Sequence, residues 1–253
     1  SAAATASRGR GWRWALLGAL MGGALTLAVY APAGWLAALL REQSEGRLLL
    51  VNARGTVWNG QSGVVFASGA GGVDSISLPG SLAWKLRPSW RGITAALDLS
   101  CCTRQPIDLV ASPGVQGLNV RVQDGQSRWP AALLAGFGAP FNTLKPEGML
   151  DLSTQGLELR AERQQLAFQG RATLDATDIS SSLSTLKPMG SYRVVLEGGN
   201  APSLLLTTRE GSLRLSGSGR WTGTRLRFSG EASAAPGRED ALSNLLNIIG
   251  RRD

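Results

Sequence analysis

The sequence predicts a mainly β protein in which a single transmembrane helix precedes a many-stranded, twisted or rolled antiparallel sheet. Three observations support this prediction. An uncharged apolar run lies near the N-terminus, short runs of alternating apolar and polar residues fill most of the chain, and an apolar stripe with helical spacing ends it. The complete prediction adds one or two short helices that cover the sheet and a C-terminal amphipathic helix.

The apolar run defines the first elements of the chain. From Trp14 to Leu40 no side chain is charged, and about 20 helical residues suffice to cross a hydrocarbon core. We predict a basic cytoplasmic stub over residues 1–13, a transmembrane helix over 14–32 and a juxtamembrane helix over 33–41. Because arginines precede the run, the positive-inside rule places the N-terminus in the cytoplasm. A signal peptide, which usually has a shorter apolar core, and the core helix of a soluble protein are the alternatives.

Alternating strands are predicted throughout a single domain over residues 42–253. In "GSLRLSGSGRW", Leu213 and Leu215 face one side of a strand while Arg214 faces the other. One packed face and one wet face are typical of an antiparallel meander. The dipeptide Asn59-Gly60 predicts a hairpin turn. The glycines that punctuate these strands are spaced irregularly, so the pattern does not indicate a repeat of fixed period.

Two apolar runs with a different spacing predict the remaining helices. The run from Trp129 to Phe137 predicts one or two helical turns that cover a sheet end. Near the C-terminus, apolar residues at positions i, i+3, i+4 and i+7 form a single helical stripe. They are Leu242, Leu245, Leu246 and Ile249. This stripe either caps the open edge of the sheet or forms a docking helix for a partner or a membrane surface.

The composition excludes the commonest catalytic and metal sites. The chain has no His, which excludes the usual histidine-dependent triads and the common zinc sites. It also lacks a nucleophile elbow, a P-loop lysine and a dinucleotide fingerprint. The net charge of +8 comes partly from arginines before the apolar run, and the others are scattered, unlike those of a nucleic-acid site. We predict a protein that is not an enzyme, with no catalytic residues, cofactor, metal or nucleic-acid partner.

Tryptophans in the β-rich part are the candidate contacts with a partner or on a sheet face. They are Trp58, Trp84, Trp90 and Trp221. Exposed tryptophan is frequent among the residues that dominate protein interfaces, whereas packing within the sheet is the alternative. In "GTVWNG", alternation predicts Val57 and Trp58 on opposite faces of a strand.

The only cysteines, Cys101 and Cys102, are adjacent. A bridge between neighbours closes a strained ring, which disfavours a structural staple. The open alternatives are a vicinal disulfide, a link to another chain, or two free and half-buried thiols in a strand.

Five segments, taken in order, resemble a known family. They are "NARGTVWNG", "LPGSLAWKLRP", "WPAALLAGFGAPFNTLKPEGMLDLSTQGL", "DISSSLSTLKPMGSYRVVLEGG" and "SGEASAAPGREDALSNLLNIIGRR". Their order and spacing are similar to those of protein N of the bacterial type II secretion system, over essentially the whole chain. The resemblance implies a single-pass protein of a Gram-negative inner membrane, with a cytoplasmic N-terminus and a periplasmic domain. It carries over no catalytic residue.

These observations and the resemblance predict a non-enzymatic scaffold of the secretion machinery. We expect it to bind subunits of the inner-membrane platform and to contact the secretin during export of folded periplasmic proteins. Strand addition at an exposed sheet edge is one docking mode that fits. The alternative is an AsmA-like periplasmic protein for lipid binding, lipid transport or envelope biogenesis, in which the apolar sheet face lines a groove for acyl chains.

Overall fold

An apolar helix leads into a large antiparallel sheet. The computed structural model describes residues 11–67, 75–90, 92–114, 117–138, 141–162, 165–222 and 225–249. The first ten residues of the predicted basic stub therefore lie outside the described residues. The described helices are α1 (Gly11–Val29), α2 (Ala33–Gln43), a 3₁₀ helix (Ala131–Phe137), α3 (Phe141–Leu144) and α4 (Glu239–Ile249).

Helix α1 has the length and composition of a membrane span. Its 19 residues extend about 28 Å, and none of the window Trp12–Val29 is buried against the rest of the molecule. The helix ends at Val29, three residues before the predicted end. Pro32 is extended, with φ of −67° and ψ of 145°, and proline disfavours helical geometry in the residue before it. A second helix, α2, then begins at Ala33.

The sheet contains fourteen strands among the described residues. They are β1 (Leu48–Gly55), β2 (Asn59–Ala67), β3 (Ser75–Ser77), β4 (Leu82–Ser89), β5 (Gly92–Leu99), β6 (Ile107–Pro113), β7 (Gly117–Val122), β8 (Gly125–Pro130), β9 (Glu147–Glu162), β10 (Gln165–Ser180), β11 (Gly190–Glu197), β12 (Ser203–Gly211), β13 (Leu213–Thr222) and β14 (Arg225–Ala234). This confirms the predicted fold class.

Consecutive strands pair as a meander. The order is β1-β2-β4-β5-β6-β7-β9-β10-β11-β12-β13-β14, with β3 paired to β2 and β8 paired to β9. Each of these pairings is antiparallel. The sheet does not close, so β1 and β14 are its two ends.

One face of the sheet is apolar, and the sheet curves toward it. Leu174 on β10 lies opposite Val194 on β11, and Val194 lies opposite Leu206 on β12. Phe168 on β10 and Trp221 on β13 are three strands apart, or about 14 Å in a flat sheet. Their ring centroids are nevertheless 5.7 Å apart. The predicted rolling of the sheet is therefore present in its second half.

Two separate cores cover parts of this face. The first gathers Val64, Leu78 and Leu99 from the sheet region under Leu133 of the 3₁₀ helix. The second lies under α4. The helix predicted to start at Trp129 starts at Ala131 instead, because Trp129 and Pro130 still pair with β9 as the end of β8.

Candidate functional site

The connection between β1 and β2 joins the sheet to the apolar helix. Trp58 donates a hydrogen bond from its indole Nε1 to the carbonyl oxygen of Ala28, at 2.7 Å. The backbone N–H of Val57 donates to the carbonyl oxygen of Ala31 at 2.8 Å. The last four carbonyls of a helix have no partner within the helix, and Trp58 supplies one for α1. The sheet is thereby attached directly to the C-terminal turn of the helix.

The prediction that Val57 and Trp58 occupy opposite faces of a strand is wrong. Both lie in the connection, because β1 ends at Gly55 and β2 begins only at Asn59. Gly55 has a φ of 90°, which suits glycine alone, and the N–H of Asn59 donates to the Thr56 hydroxyl at 3.1 Å. The predicted hairpin exists, but Asn59-Gly60 starts its second strand and does not form the turn.

Trp84 supports this connection from within the molecule. It is 2% exposed, and its Nε1 donates to the carbonyl oxygen of Val57 at 3.0 Å. Its ring lies over Gly60, where any Cβ would overlap it. Trp84 is therefore a packing residue in this structure, with almost no surface to offer to a partner.

The other two predicted tryptophans have different surroundings. Trp221 is half-buried, and its ring meets Phe168 edge to face at an interplanar angle of 83°. Trp90, in contrast, is 86% exposed at the tip of the β4–β5 hairpin. Of the four tryptophans, Trp90 has the most surface available to another molecule.

The cysteines form a vicinal disulfide in the turn after β5. The interpretation that places them in a strand is wrong, since β5 ends at Leu99. Cys101 is exposed, whereas Cys102 is 4% exposed within the first core. The carbonyl oxygen of Cys102 also accepts a hydrogen bond from the N–H of Arg128 at 2.8 Å.

Helix α4 places its stripe against the chain's own sheet. Leu242 and Leu245 are 0% and 2% exposed and pack with Met189, Tyr192 and Leu213. Leu246 is half-buried at the rim of this cluster, and the side chain of Ile249 lies outside the described residues.

Burial raises the pKa of Tyr192 far above its usual range, and its hydroxyl donates to the carbonyl oxygen of Leu213 at 3.1 Å.

The outer edge of β14 is unpaired by any other described strand. This strand is ten residues long, and its side chains are exposed except for Ala234. In the neighbouring ladder Arg220 lies directly opposite Arg227, a like-charge pairing that disfavours the isolated sheet. Neither these two arginines nor Arg225 forms an ion pair among the described residues.

Asp175 joins two arginines on neighbouring strands in an ionic contact that links the strands of the sheet. Asp175 accepts hydrogen bonds from Arg193 Nε at 2.7 Å and Nη2 at 2.8 Å, and from Arg209 Nη1 at 3.5 Å. Chiefly through the hydrogen bonds from Arg193, these cations lower the pKa of Asp175. In the part of the chain that the structure describes, His, Cys, Asp and Glu form no group of three that could hold a metal ion.

Sequence reasoning missed two of these features. Alternation does not reveal which strand is last in the sheet, so the free edge of β14 has no sequence signal. The hydrogen bond from Trp58 to Ala28 joins residues that are 30 positions apart in the chain, and local pattern does not indicate a contact at that separation.

Comparison with known proteins identifies one family. The family model described as "Type II secretion system (T2SS), protein N" matches residues 46–253, which is most of the chain and the whole sheet. No curated protein and no solved structure matches. The family and the N-terminal apolar helix are together consistent with a membrane-anchored protein. The chain belongs to the protein N family of the type II secretion system.

Proposed function

We propose that this protein is a non-enzymatic scaffold of the type II secretion machinery that binds other subunits through the free edge of β14. In this proposal α1 spans the inner membrane with its N-terminus in the cytoplasm, and the sheet lies in the periplasm. Its partners are subunits of the inner-membrane platform and the secretin. The observation that carries the proposal is the ten-residue edge strand, which no other described strand covers.

The register identifies the backbone groups that the edge offers. The N–H of Ala235 donates to the carbonyl oxygen of Ser212 at 2.7 Å. Because bonding alternates along an antiparallel pair, residues 225, 227, 229, 231 and 233 bond inward to β13. The N–H and C=O groups of residues 226, 228, 230, 232 and 234 then point away from the sheet. An incoming strand can pair with these groups by strand addition.

The charge around the edge indicates the chemistry of the incoming strand. Arg220, Arg225 and Arg227 share the polar face at one end of the β13–β14 hairpin, since they alternate with apolar residues. An extended segment with carboxylates at alternate positions would supply the ion partners that these side chains lack among the described residues. On the apolar face, the same segment would meet Leu226 and Phe228, which are 41% and 48% exposed. The expected partner segment is therefore amphipathic and acidic.

Cross-linking in cells that carry the secretion machinery tests this proposal. Cysteine is introduced at Ser229 or Ser233 on β14, with Ser218→Cys as the matched control because it lies opposite Ser229 one strand further in. We expect disulfide or bismaleimide cross-links to the secretin or to platform subunits from β14, and far fewer from Ser218. Equal capture from both strands, or no capture of these subunits, would overturn the proposal.

A proline substitution separates strand addition from simple proximity. Ala232→Pro removes an outward N–H while leaving the inward bonds of β14 in place, and proline is tolerated at such edge positions. We expect it to abolish the cross-links and to reduce export of folded proteins. Ala232→Ser keeps the N–H and should retain both, so an equal effect of the two variants would contradict the docking mode.

The open sheet favours one second candidate, the binding of lipid on the apolar face. The sheet does not close, and Val194, Leu204 and Leu206 on the curved face are only half-buried. Leu213 is a poor probe because it is 3% exposed beneath α4. A charge at Phe228, compared with Ser229→Asp on the opposite face, is the better test. Phospholipid that co-purifies with the protein and is lost in Phe228→Asp alone would favour this function, whereas lipid content unchanged by both would exclude it.

A further inference from the structure

The β4–β5 hairpin extends beyond the point where the sheet meets the apolar helix. The N–H of Leu86 on β4 donates to the carbonyl oxygen of Trp58 at 2.7 Å, and Trp58 itself bonds to the last turn of α1. The chain of β4 runs toward this junction and continues to Ser89. From Leu86 to Trp90 the extended chain covers about 13 Å. The tip of the β4–β5 hairpin thus projects past the tip of the β1–β2 hairpin, at the end of the sheet that bonds to α1.

The exposed residues at this end suit a membrane surface. Trp90 is 86% exposed and Ile93 is 42% exposed on the returning strand. Tryptophan prefers the headgroup level of a bilayer, where its ring is half in an apolar and half in a wet environment. Arg87 is exposed on the polar face of the same hairpin, and cationic side chains attract anionic lipid headgroups.

Helix α2 presents a similar surface beside the junction. Trp35 and Leu39 are 54% and 53% exposed and lie four residues apart, which places them on one face of a helix. The same helix buries Ala33 on another side. Arg41 follows in its last turn. Two elements on the sheet side of α1 therefore expose an aromatic residue, and each also carries an exposed arginine.

We propose that the tip of the β4–β5 hairpin lies on the anionic lipid surface of the leaflet at the C-terminal end of α1, with Trp90 at headgroup level. Together with α1 and the face of α2 that carries Trp35 and Leu39, it gives the sheet three attachments to the membrane. Three attachments fix the tilt of the sheet relative to the bilayer, whereas a single spanning helix can tilt in the membrane and carry the sheet with it. This inference rests on the membrane anchorage in the proposed function and is independent of the partner edge on β14.

Lipid quenching of a fluorescent label on the full-length chain tests the inference. The protein is placed in nanodiscs of phosphatidylethanolamine and phosphatidylglycerol that contain a lipid spin-labelled near the headgroup. An environment-sensitive dye is attached to Ser89→Cys, which leaves Trp90 intact. The matched control is Gln105→Cys, an exposed residue beyond the opposite end of β5. Labelling without reductant leaves the Cys101–Cys102 disulfide unreacted.

We expect strong quenching at position 89 and almost none at position 105. In the Ser89→Cys background, Trp90→Ser should remove most of the quenching, whereas Trp90→Tyr should retain it because tyrosine has the same interfacial preference. Replacing phosphatidylglycerol by phosphatidylcholine should weaken the quenching. Equal signals from positions 89 and 105, or a signal indifferent to Trp90→Ser, would overturn the inference.

A third label separates this inference from the anchorage on which it rests. Ala24→Cys lies within α1 and is expected to be quenched whether or not the hairpin touches lipid. Quenching at position 24 with none at position 89 would refute the hairpin contact alone. No quenching at position 24 would instead refute the membrane anchorage, and the hairpin contact with it.

Discussion

Truncation of Leu242 is expected to release helix α4 from the sheet. Leu242 is completely buried among Met189, Tyr192, Leu213 and Leu245. An isolated helix of 11 residues has little stability of its own in water, so α4 is ordered by docking. The docked state depends on the burial of a few leucines, and Leu242 is the most buried of them.

The size of the effect follows from that burial. Burying two leucine side chains contributes roughly 3–6 kcal/mol, at about 1.5–3 kcal/mol each. Replacing a buried leucine by alanine costs about 2–5 kcal/mol, because a cavity adds to the lost transfer energy. The loss in Leu242→Ala is therefore comparable to the whole docking energy of the helix. At about 1.4 kcal/mol per factor of ten, it corresponds to roughly 30- to 4000-fold more frequent opening.

Hydrogen exchange measured by mass spectrometry on the full chain in detergent would detect this opening. Peptides covering residues 239–249 should exchange at least about 30-fold faster in Leu242→Ala, while peptides from β1 to β7 keep their protection. Asn244→Ala is the matched control, since Asn244 is exposed on the same helix and surface substitutions change stability by only about 0.5 kcal/mol. Unchanged protection of α4 in Leu242→Ala would refute the reasoning that docking alone orders it.

Two further predictions concern the junction and the ionic contact. Trp58→Phe removes the hydrogen bond from the indole to the carbonyl oxygen of Ala28, which is worth about 0.5–1.5 kcal/mol. Hydrogen exchange of the Val57 amide should therefore accelerate by roughly 2- to 13-fold. An unchanged rate would show that the indole does not hold the junction. Asp175→Asn should lower stability at neutral pH, because Arg193 holds the folded pKa of Asp175 below its unfolded value. A carboxylate whose pKa is lower in the folded than in the unfolded state stabilises the fold fully at pH values above its unfolded pKa of about 3.9. This stabilisation is lost as the pH falls through the folded pKa. Urea midpoints of the two proteins should therefore converge below about pH 4, and a difference that stays constant down to pH 2.5 would contradict this role.

Local pattern was sufficient for the fold class, in which an apolar helix precedes a many-stranded sheet and an amphipathic helix follows it. Alternation at period two predicts strands wherever one face is buried, and the stripe through Leu242 and Leu245 predicts α4, because both signals depend only on neighbours in the chain. Element ends were less accurate. Trp129 has the composition of a helix start, yet its backbone is paired to Leu150 on β9, and such a long-range pairing overrides local preference.

The four candidate tryptophans differ in exposure because different parts of the folded chain surround them. The sequence offers Trp58, Trp84, Trp90 and Trp221 as one set of candidates, since alternation does not show how much of each ring other segments cover. In the structure Trp84 is 2% exposed and Trp90 is 86% exposed. Gly60 explains part of this difference, because its missing side chain leaves the space that the Trp84 ring occupies.

By itself, the sequence determined the membrane-compatible helix, the β-rich class, the lack of histidine-dependent chemistry and the resemblance to its family. Each depends on composition or on short-range periodicity, which the order of residues contains directly. Only the tertiary structure decided that the sheet stays open at β14, that α4 packs on the sheet itself and that Trp58 bonds to the end of α1. Those outcomes depend on which distant segments meet, and the free energy of such contacts is set by the whole chain folding together.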